Sequence, residues 1–336
     1  MNEKTTNGLS TFQELSAAFE LQFNKRHFPT HPEQLYNAAQ HLLSMGGKRV
    51  RPVMCLMGNE LFGELNPDAF HVANAIELFH NFTLVHDDIM DKAPLRRGMP
   101  ATHIQYGEPT ALLAGDVMLV TAYEALNKIK SGYLGKVLDI FNITARQVCE
   151  GQQMDMDFSQ IALSGNEASD AHFNEYVEMI GLKTSVLLAA SLRLGAILGG
   201  AGLGNQDQLY LFGKNLGIAF QVQDDYLDAF GDPKKFGKQA GGDIIANKRT
   251  FLLLHALHVA TPQQEKEISE LLSSAPVDKV ERMLSIYKAC HLDEWARELK
   301  QLYYDRALNH LEEVAVISSR KKNLHALAAY LMEREE

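Results

Sequence analysis

The sequence predicts an all-α chain of long helices, read as a single domain over residues 1–336 with a polar tail at 1–10. Three observations carry this reading. Apolar residues recur at helical spacing through almost the whole chain. Breakers rich in proline or glycine separate the periodic runs, as at 27–32, 63–67, 131–132, 164–165, 199–204 and Pro262. No alternating β-branched run of useful length is bounded by hairpin turns.

Taken in order, the first helices are expected at 10–28, 32–44 and 49–63, the third holding Pro52 in its first turn. The fourth, 67–92, opens on Asn66-Pro67-Asp68, and Pro94 should stop it near Ala93, because a residue before proline disfavours the α region. Helices then follow at 108–129, 133–156, 171–199 (opening on Ser169-Asp170) and 205–229. Five more fall at 249–260, 262–273, 276–289, 292–314 and 319–334. No Gly/Ser linker or composition shift marks a domain boundary.

Bulk properties exclude several classes. A hydrophobic content of 46% is ample for a core, and a net charge of −10 argues against general nucleic-acid binding or an anionic membrane surface. Cys55, Cys149 and Cys290 lie far apart and form no zinc or disulfide pattern, which fits a reducing cytoplasm. The first ten residues lack the apolar core of a signal peptide. The apolar stretch 180–200 carries Lys183 and Arg193, and its uninterrupted part, 184–192, is too short for a bilayer, which needs ~20 residues. It reads as a buried helix, so no transmembrane segment is expected.

The chemistry is concentrated in acidic triplets. Asp87, Asp88 and Asp91 emerge from the apolar run 82–85, and at ~100° per residue Asp87 and Asp91 share a helix face. Arg96 and Arg97 follow the expected stop. A charge cluster on a helix is ordinarily a solvated face, but Asp224, Asp225 and Asp228 repeat the design behind another apolar lead-in. Burying six carboxylates without cations would be very costly, so both triplets are expected to converge on Mg²⁺ and a polyphosphate in one cavity. Arginines suit the phosphate oxygens.

Other candidates surround these. Gly46-Gly47 precedes Lys48, Arg49 and Arg51 at a helix start, a potential anion site, although the Walker spacing is absent. His80 lies two helical turns before Asp87, on the same face. Glu77 and His80 form one ExxH, but the second that a di-iron bundle needs is missing, and His86-Asp87 lacks the further ligands of a metal phosphohydrolase. Gln152, Asp155, Lys183 and Thr184 are polar insertions into apolar helices and need partners. The glycine-rich, cationic stretch 237–248 has the composition of a phosphate-covering loop.

These motifs resemble those of the trans-isoprenyl diphosphate synthases, the polyprenyl synthetase family. GGKRxRP stands at 46–52, DDIMD at 87–91 with RRG at 96–98, GQxxD at 151–155, LKT at 182–184, FQxxDDxxD at 220–228, and GKxxGGD with NK at 237–248, in family order. The resemblance implies an isoprenoid-synthase-type helical bundle around a central cavity, and a homodimer. It implies head-to-tail prenyl transfer from an allylic diphosphate to isopentenyl diphosphate. Mg²⁺, three ions with substrate bound and replaceable by Mn²⁺, would sit on Asp87, Asp91 and Asp224, supported by Asp88, Asp225 and Asp228. Arg96, Lys183 and Lys238 would hold the allylic diphosphate, with Gln152 and Lys248 beside it. Thr184 and Gln221 would face the carbocation, and Lys48, Arg51, His80 and Arg97 would bind isopentenyl diphosphate. Family chain-length positions fall on Phe82 and Thr83; a single aromatic there resembles archaeal-type geranylgeranyl (C20) synthases, with farnesyl (C15) as the second reading. A terpene cyclase would not need the 46–52 motif, and a non-catalytic partner subunit would be expected to have lost aspartates.

Overall fold

A computed structural model describes residues 9–160, 170–231, 241–274 and 276–333. The described helices are α1 (Phe12–Phe23), α2 (Glu33–Ser44), α3 (Val50–Glu60), α4 (Asp68–Met90), α5 (Thr102–Tyr106), α6 (Glu108–Leu126), α7 (Ser131–Gln160), α8 (Asp170–Ile180) and α9 (Val186–Leu198). They continue as α10 (Leu203–Phe230), α11 (Gly242–Ile245), α12 (Phe251–Val259), α13 (Pro262–Ser273), α14 (Lys279–Ala289), α15 (Leu292–Glu312) and α16 (Ser318–Met332). Each long helix expected from periodicity is present. Local chemistry opens several of them: Thr11 and Glu14 form a capping box on α1, and Thr261 and Gln264 one on α13. Asn66 Oδ1 accepts the Asp68 amide at the start of α4.

Besides the short helices α5 and α11, which were not placed from the sequence, two details depart from the expectation. After α4 comes a hairpin, β1 (Leu95–Arg96) against β2 (Met99–Pro100), with Leu95 opposite Pro100 and Arg96 opposite Met99. Its turn residues Arg97 and Gly98 both have positive φ, 52° and 77°, the signature of a type I′ turn. Two-residue strands are too short for alternation to reveal. The stretch read as one helix over 171–199 is interrupted by a π-helical turn, Gly181–Ser185, between α8 and α9. Such bulges frequently lie at functional sites.

The chain divides into two compact units. The first comprises Met1–Thr144, Ala190–Tyr210 and Glu313–Leu324. Its centre is α4, whose Ala69, Val72, Ala73, Ile76 and Phe79 are buried, packed along α6 and across α3. A Cβ at Gly195 would lie 1.9 Å from the Cys55 carbonyl oxygen, and one at Gly58 2.5 Å from that of Leu192, so α3 and the end of α9 meet backbone to backbone.

The second unit comprises Ala145–Ala189, Leu211–Glu312 and His325–Glu336. Here α7 meets the π turn at Gly151, where a Cβ would lie 2.3 Å from the Lys183 nitrogen. The segment His172–Leu198 is long and apolar enough to cross a membrane by length and composition, but 78% of its apolar window is buried inside the protein.

Candidate active site

In the first unit, α4 ends in a Schellman motif. Lys92 takes φ 51°, the Lys92 amide donates to the Ile89 carbonyl at 3.2 Å, and the Ala93 amide donates to the Asp88 carbonyl at 2.9 Å. The helix therefore stops at Met90, slightly before the point Pro94 would impose, and the chain turns back so that β1 returns Arg96 to the carboxylates. Arg96 Nε lies 3.0 and 3.1 Å from the two Asp88 oxygens, its Nη2 also donates to Asp88, and Nη2 reaches Asp87 Oδ2 at 3.5 Å. Burial opposes charge on Arg96, but the Asp88 hydrogen bond and the charges of Asp88, Asp87 and Asp91 outweigh it and raise its pKa.

Asp88 is only 1% exposed, whereas Asp87 is half-buried and Asp91 exposed. The middle carboxylate is thus consumed by Arg96, and the outer two, which share a helix face, remain reachable by solvent.

Beside them stands a cationic group. Arg51 Nη1 lies 3.3 Å from His80 Nε2. Arginine has only donors, so Nε2 accepts and Nδ1 carries the proton. Burial, then the charges of Arg51, Arg97, Arg96 and Arg49, hold the His80 pKa well below the usual imidazole value, so the ring is neutral at pH 7. Arg97 Nη1 donates to the Gly46 carbonyl, and its guanidinium lies flat on Gly47, where a Cβ would sit 3.1 Å from Nη2. Lys48 is exposed on the same turn.

Arg49, grouped by sequence with these cations, is 3% exposed and pairs with Glu77, itself 2% exposed. That pairing answers the ExxH question: Glu77 is committed to Arg49. Similarly, His86 Nε2 lies 3.1 Å from the Leu112 carbonyl oxygen. Phe82 packs between Phe79 and His86, with ring centroids 5.6 and 4.7 Å apart, and Thr83 Oγ1 donates to the His80 carbonyl at 2.8 Å.

The second unit repeats the logic with different partners. Asp225 is 5% exposed; Tyr176 donates to its Oδ2 at 2.6 Å, and Gln221 Nε2 to its Oδ1 at 2.8 Å. Burial, and then Asp243, push Asp225 up to about 7. Gln221 spends its amide N–H on Asp225 and presents Oε1, which accepts from Thr184 Oγ1 at 3.4 Å. Asp224 and Asp228 are half-buried, and Asp228 Oδ2 accepts the Asp243 amide at 2.9 Å.

The π turn places Lys183 Nζ 2.6 Å from Asp155 Oδ2, and Lys248 Nζ lies 3.4 Å from Asp243 Oδ1. Burial disfavours charge on Lys248, but Asp243, Asp225 and Asp155 prevail and raise its pKa. Gln152 is half-buried on α7, one turn before Asp155. Lys238 lies outside the described residues.

In both triplets, then, the middle aspartate is buried and hydrogen-bonded while the outer ones are more open. Among the described residues, no three His, Cys, Asp or Glu side chains group closely enough to hold a metal unaided. The all-oxygen donors fit Mg²⁺, which takes one or two carboxylates and completes its shell with water and substrate phosphate. Acidic clusters with cations set beside them are a chemistry for diphosphates.

The profile of the polyprenyl synthetase family matches residues 32–289. The chain belongs to the polyprenyl synthetase family.

This polyprenyl synthetase is 37% identical over 307 residues to the short chain isoprenyl diphosphate synthase of Methanothermobacter thermautotrophicus, covering 90% of this chain and 91% of the relative. It is 37% identical over 310 residues to the geranylgeranyl diphosphate synthase of Sulfolobus acidocaldarius, covering 90% and 92%. The crystal structure of geranylgeranyl pyrophosphate synthetase from Pyrococcus horikoshii superposes with a TM-score of 0.86 at 33% identity, covering 96% and 99% of the two chains. The polyprenyl synthetase is accordingly a trans-prenyltransferase acting on isoprenyl diphosphates. Its Tyr176 and Asp243 were assigned no role from the sequence: Asp243 lies inside the GGD motif, whereas Tyr176 is one aromatic among many.

Proposed function

We propose that this polyprenyl synthetase makes geranylgeranyl diphosphate, joining isopentenyl diphosphate head-to-tail to dimethylallyl, geranyl and farnesyl diphosphate. The observation that carries the reading is the cationic group of Arg51, Arg97 and Lys48 around neutral His80, distinct from the carboxylate clusters. It gives a second diphosphate its own site, which a terpene cyclase would not need. The C20 length draws on the relatives that bear that name and on the single aromatic at Phe82.

Asp87, Asp91 and Asp224 would hold Mg²⁺, which when bound offsets the charge on the departing pyrophosphate. Lys183, which pairs with Asp155, and Arg96, which pairs with Asp88, would add their charge to that pyrophosphate as the allylic C–O bond ionises. Gln221 Oε1 and the Thr184 hydroxyl then face the allylic cation with oxygen lone pairs. Apolar helix surfaces keep out the water that would quench it. His80 accepts from Arg51 and fixes that guanidinium for the isopentenyl diphosphate, whose double bond attacks the cation, and loss of a proton to pyrophosphate restores an allylic product.

We further propose a cytoplasmic homodimer. The α6 face bearing Leu112, Leu113 and Val120, 48%, 55% and 59% exposed, is an apolar surface suited to a second copy.

The test is the pair Asp87→Asn and Asp224→Asn. Each should lower turnover at least ~100-fold with circular dichroism unchanged. Wild-type turnover in both variants would overturn the assignment.

A further inference from the structure

The turn that carries Lys48 and leads into α3, where Arg51 stands, borders open space. A cavity of about 290 Å³ opens beside it, lined among others by Phe23, Gln40, Ser44, Gly46 and Arg49. The turn is also conformationally demanding, with Gly46, Gly47 and Arg49 all at positive φ (73°, 154° and 51°). Directional contacts must therefore fix it: Arg97 supplies one, to the Gly46 carbonyl, and Arg49 supplies more. Its guanidinium pairs with Glu77, reaches the Leu43 carbonyl at 3.5 Å, and lies 5.0 Å from the centroid of the Phe23 ring.

Glu77 is in turn held from its own helix. Asn81 Nδ2 donates to Glu77 Oε1 at 3.1 Å and to the Glu77 carbonyl at 2.7 Å. Glu77 stands on α4 one turn before His80. Arg49 and Arg51 are separated by one residue at the start of α3. The buried pair thus spans the same two elements that half-buried Arg51 and His80 bridge.

We propose that Arg49 and Glu77 are a positioning pair for isopentenyl diphosphate: their buried ion pair locks the Gly46–Arg49 turn onto α4 and so sets Lys48 and Arg51 relative to His80. The proposal rests on the assignment of those three residues to isopentenyl diphosphate. Neither Arg49 nor Glu77 touches substrate. Glu77 neutralises Arg49, so the pair adds geometry rather than net positive charge.

Arg49→Lys and Glu77→Gln test it. Lysine carries the charge without the planar fork, and glutamine keeps the shape without the charge. The structure predicts that KM for isopentenyl diphosphate rises roughly 10- to 100-fold, the scale of a ~1 Å misplacement. The kcat, the KM for the allylic diphosphate, and slow hydrolysis of the allylic diphosphate without isopentenyl diphosphate should stay within about threefold.

Breaking a buried pair can unfold a protein, so Arg49→Met/Glu77→Leu is the second variant. Matched apolar replacements of buried ion pairs are commonly tolerated, and this one should fold yet show the same selective rise. An unchanged KM for isopentenyl diphosphate in the folded double variant would overturn the proposal, as would a parallel loss of hydrolysis and condensation. Failure of the underlying reading looks different: the wild-type protein itself would not condense isopentenyl diphosphate.

Discussion

Gly151→Ala is the sharpest test of the π turn. In an ordinary helix interior this change stabilises by roughly 0.5–1 kcal/mol, because alanine loses less backbone entropy on folding. Here the new Cβ would lie 2.3 Å from the Lys183 nitrogen, 2.7 Å from the Leu182 carbonyl carbon and 2.8 Å from the Lys183 Cα. All three are backbone atoms, so no side chain can swing aside. Restoring ordinary contact at ~3.5 Å requires α7 and the turn to part by about 1 Å. Overpacking of this kind costs about 1–3 kcal/mol and reverses the usual sign.

The displaced turn carries both Lys183, 2.6 Å from Asp155, and Thr184, which reaches Gln221. A shift of ~1 Å there should lower kcat by up to ~100-fold. Thermal unfolding should move down by about 2–12 °C, at roughly 2–4 °C per kcal/mol for a unit of this size. Steady-state kinetics and a melting curve suffice as assays. A variant that is more stable than wild type with unchanged kcat would refute the reasoning.

Three further outcomes are expected. Val120→Asp should convert dimers to monomers in light scattering, and an unchanged mass would remove the α6 face as the interface. Phe82→Ala empties the space between Phe79 and His86 and should extend the product beyond C20; an unchanged distribution would exclude Phe82 as the floor of the chain pocket. His255 stacks on Trp295, the one tryptophan, at 3.7 Å between centroids, and burial followed by His258 lowers its pKa to about 4. Because the folded ring resists protonation, the unfolded chain binds the extra proton first as pH falls below about 6.5, so stability declines from there to about pH 4. Tryptophan emission should titrate near pH 4, and a midpoint near 6.5 would contradict the burial argument.

The helices were legible because periodicity and caps are local. Asn66 beside Pro67 needs no tertiary information, and the boxes of Thr11 with Glu14 and Thr261 with Gln264, though not read from the sequence, are as local. The hairpin at Leu95–Pro100 was not, since its strands give no alternation to count and Arg97 is an unusual residue at positive φ. The π turn was visible only as a polar oddity, Lys183-Thr184, within an apolar run.

In the site, residue type and spacing singled out the aspartates but could not divide their labour. Asp87 and Asp88 are adjacent in sequence, yet only the second is buried against Arg96, because neighbours on a helix point ~100° apart. Lys48, Arg49 and Arg51 likewise read as one cationic patch. Only Glu77, 28 residues away, separates the structural arginine from exposed Lys48 and half-buried Arg51.

The central claim, condensation ending at C20, is tested most directly by product analysis. The protein is incubated with Mg²⁺, isopentenyl diphosphate and, separately, dimethylallyl, geranyl and farnesyl diphosphate. Extension from each starter that stops at geranylgeranyl diphosphate is the predicted result. Folded protein that condenses none of them would contradict the account.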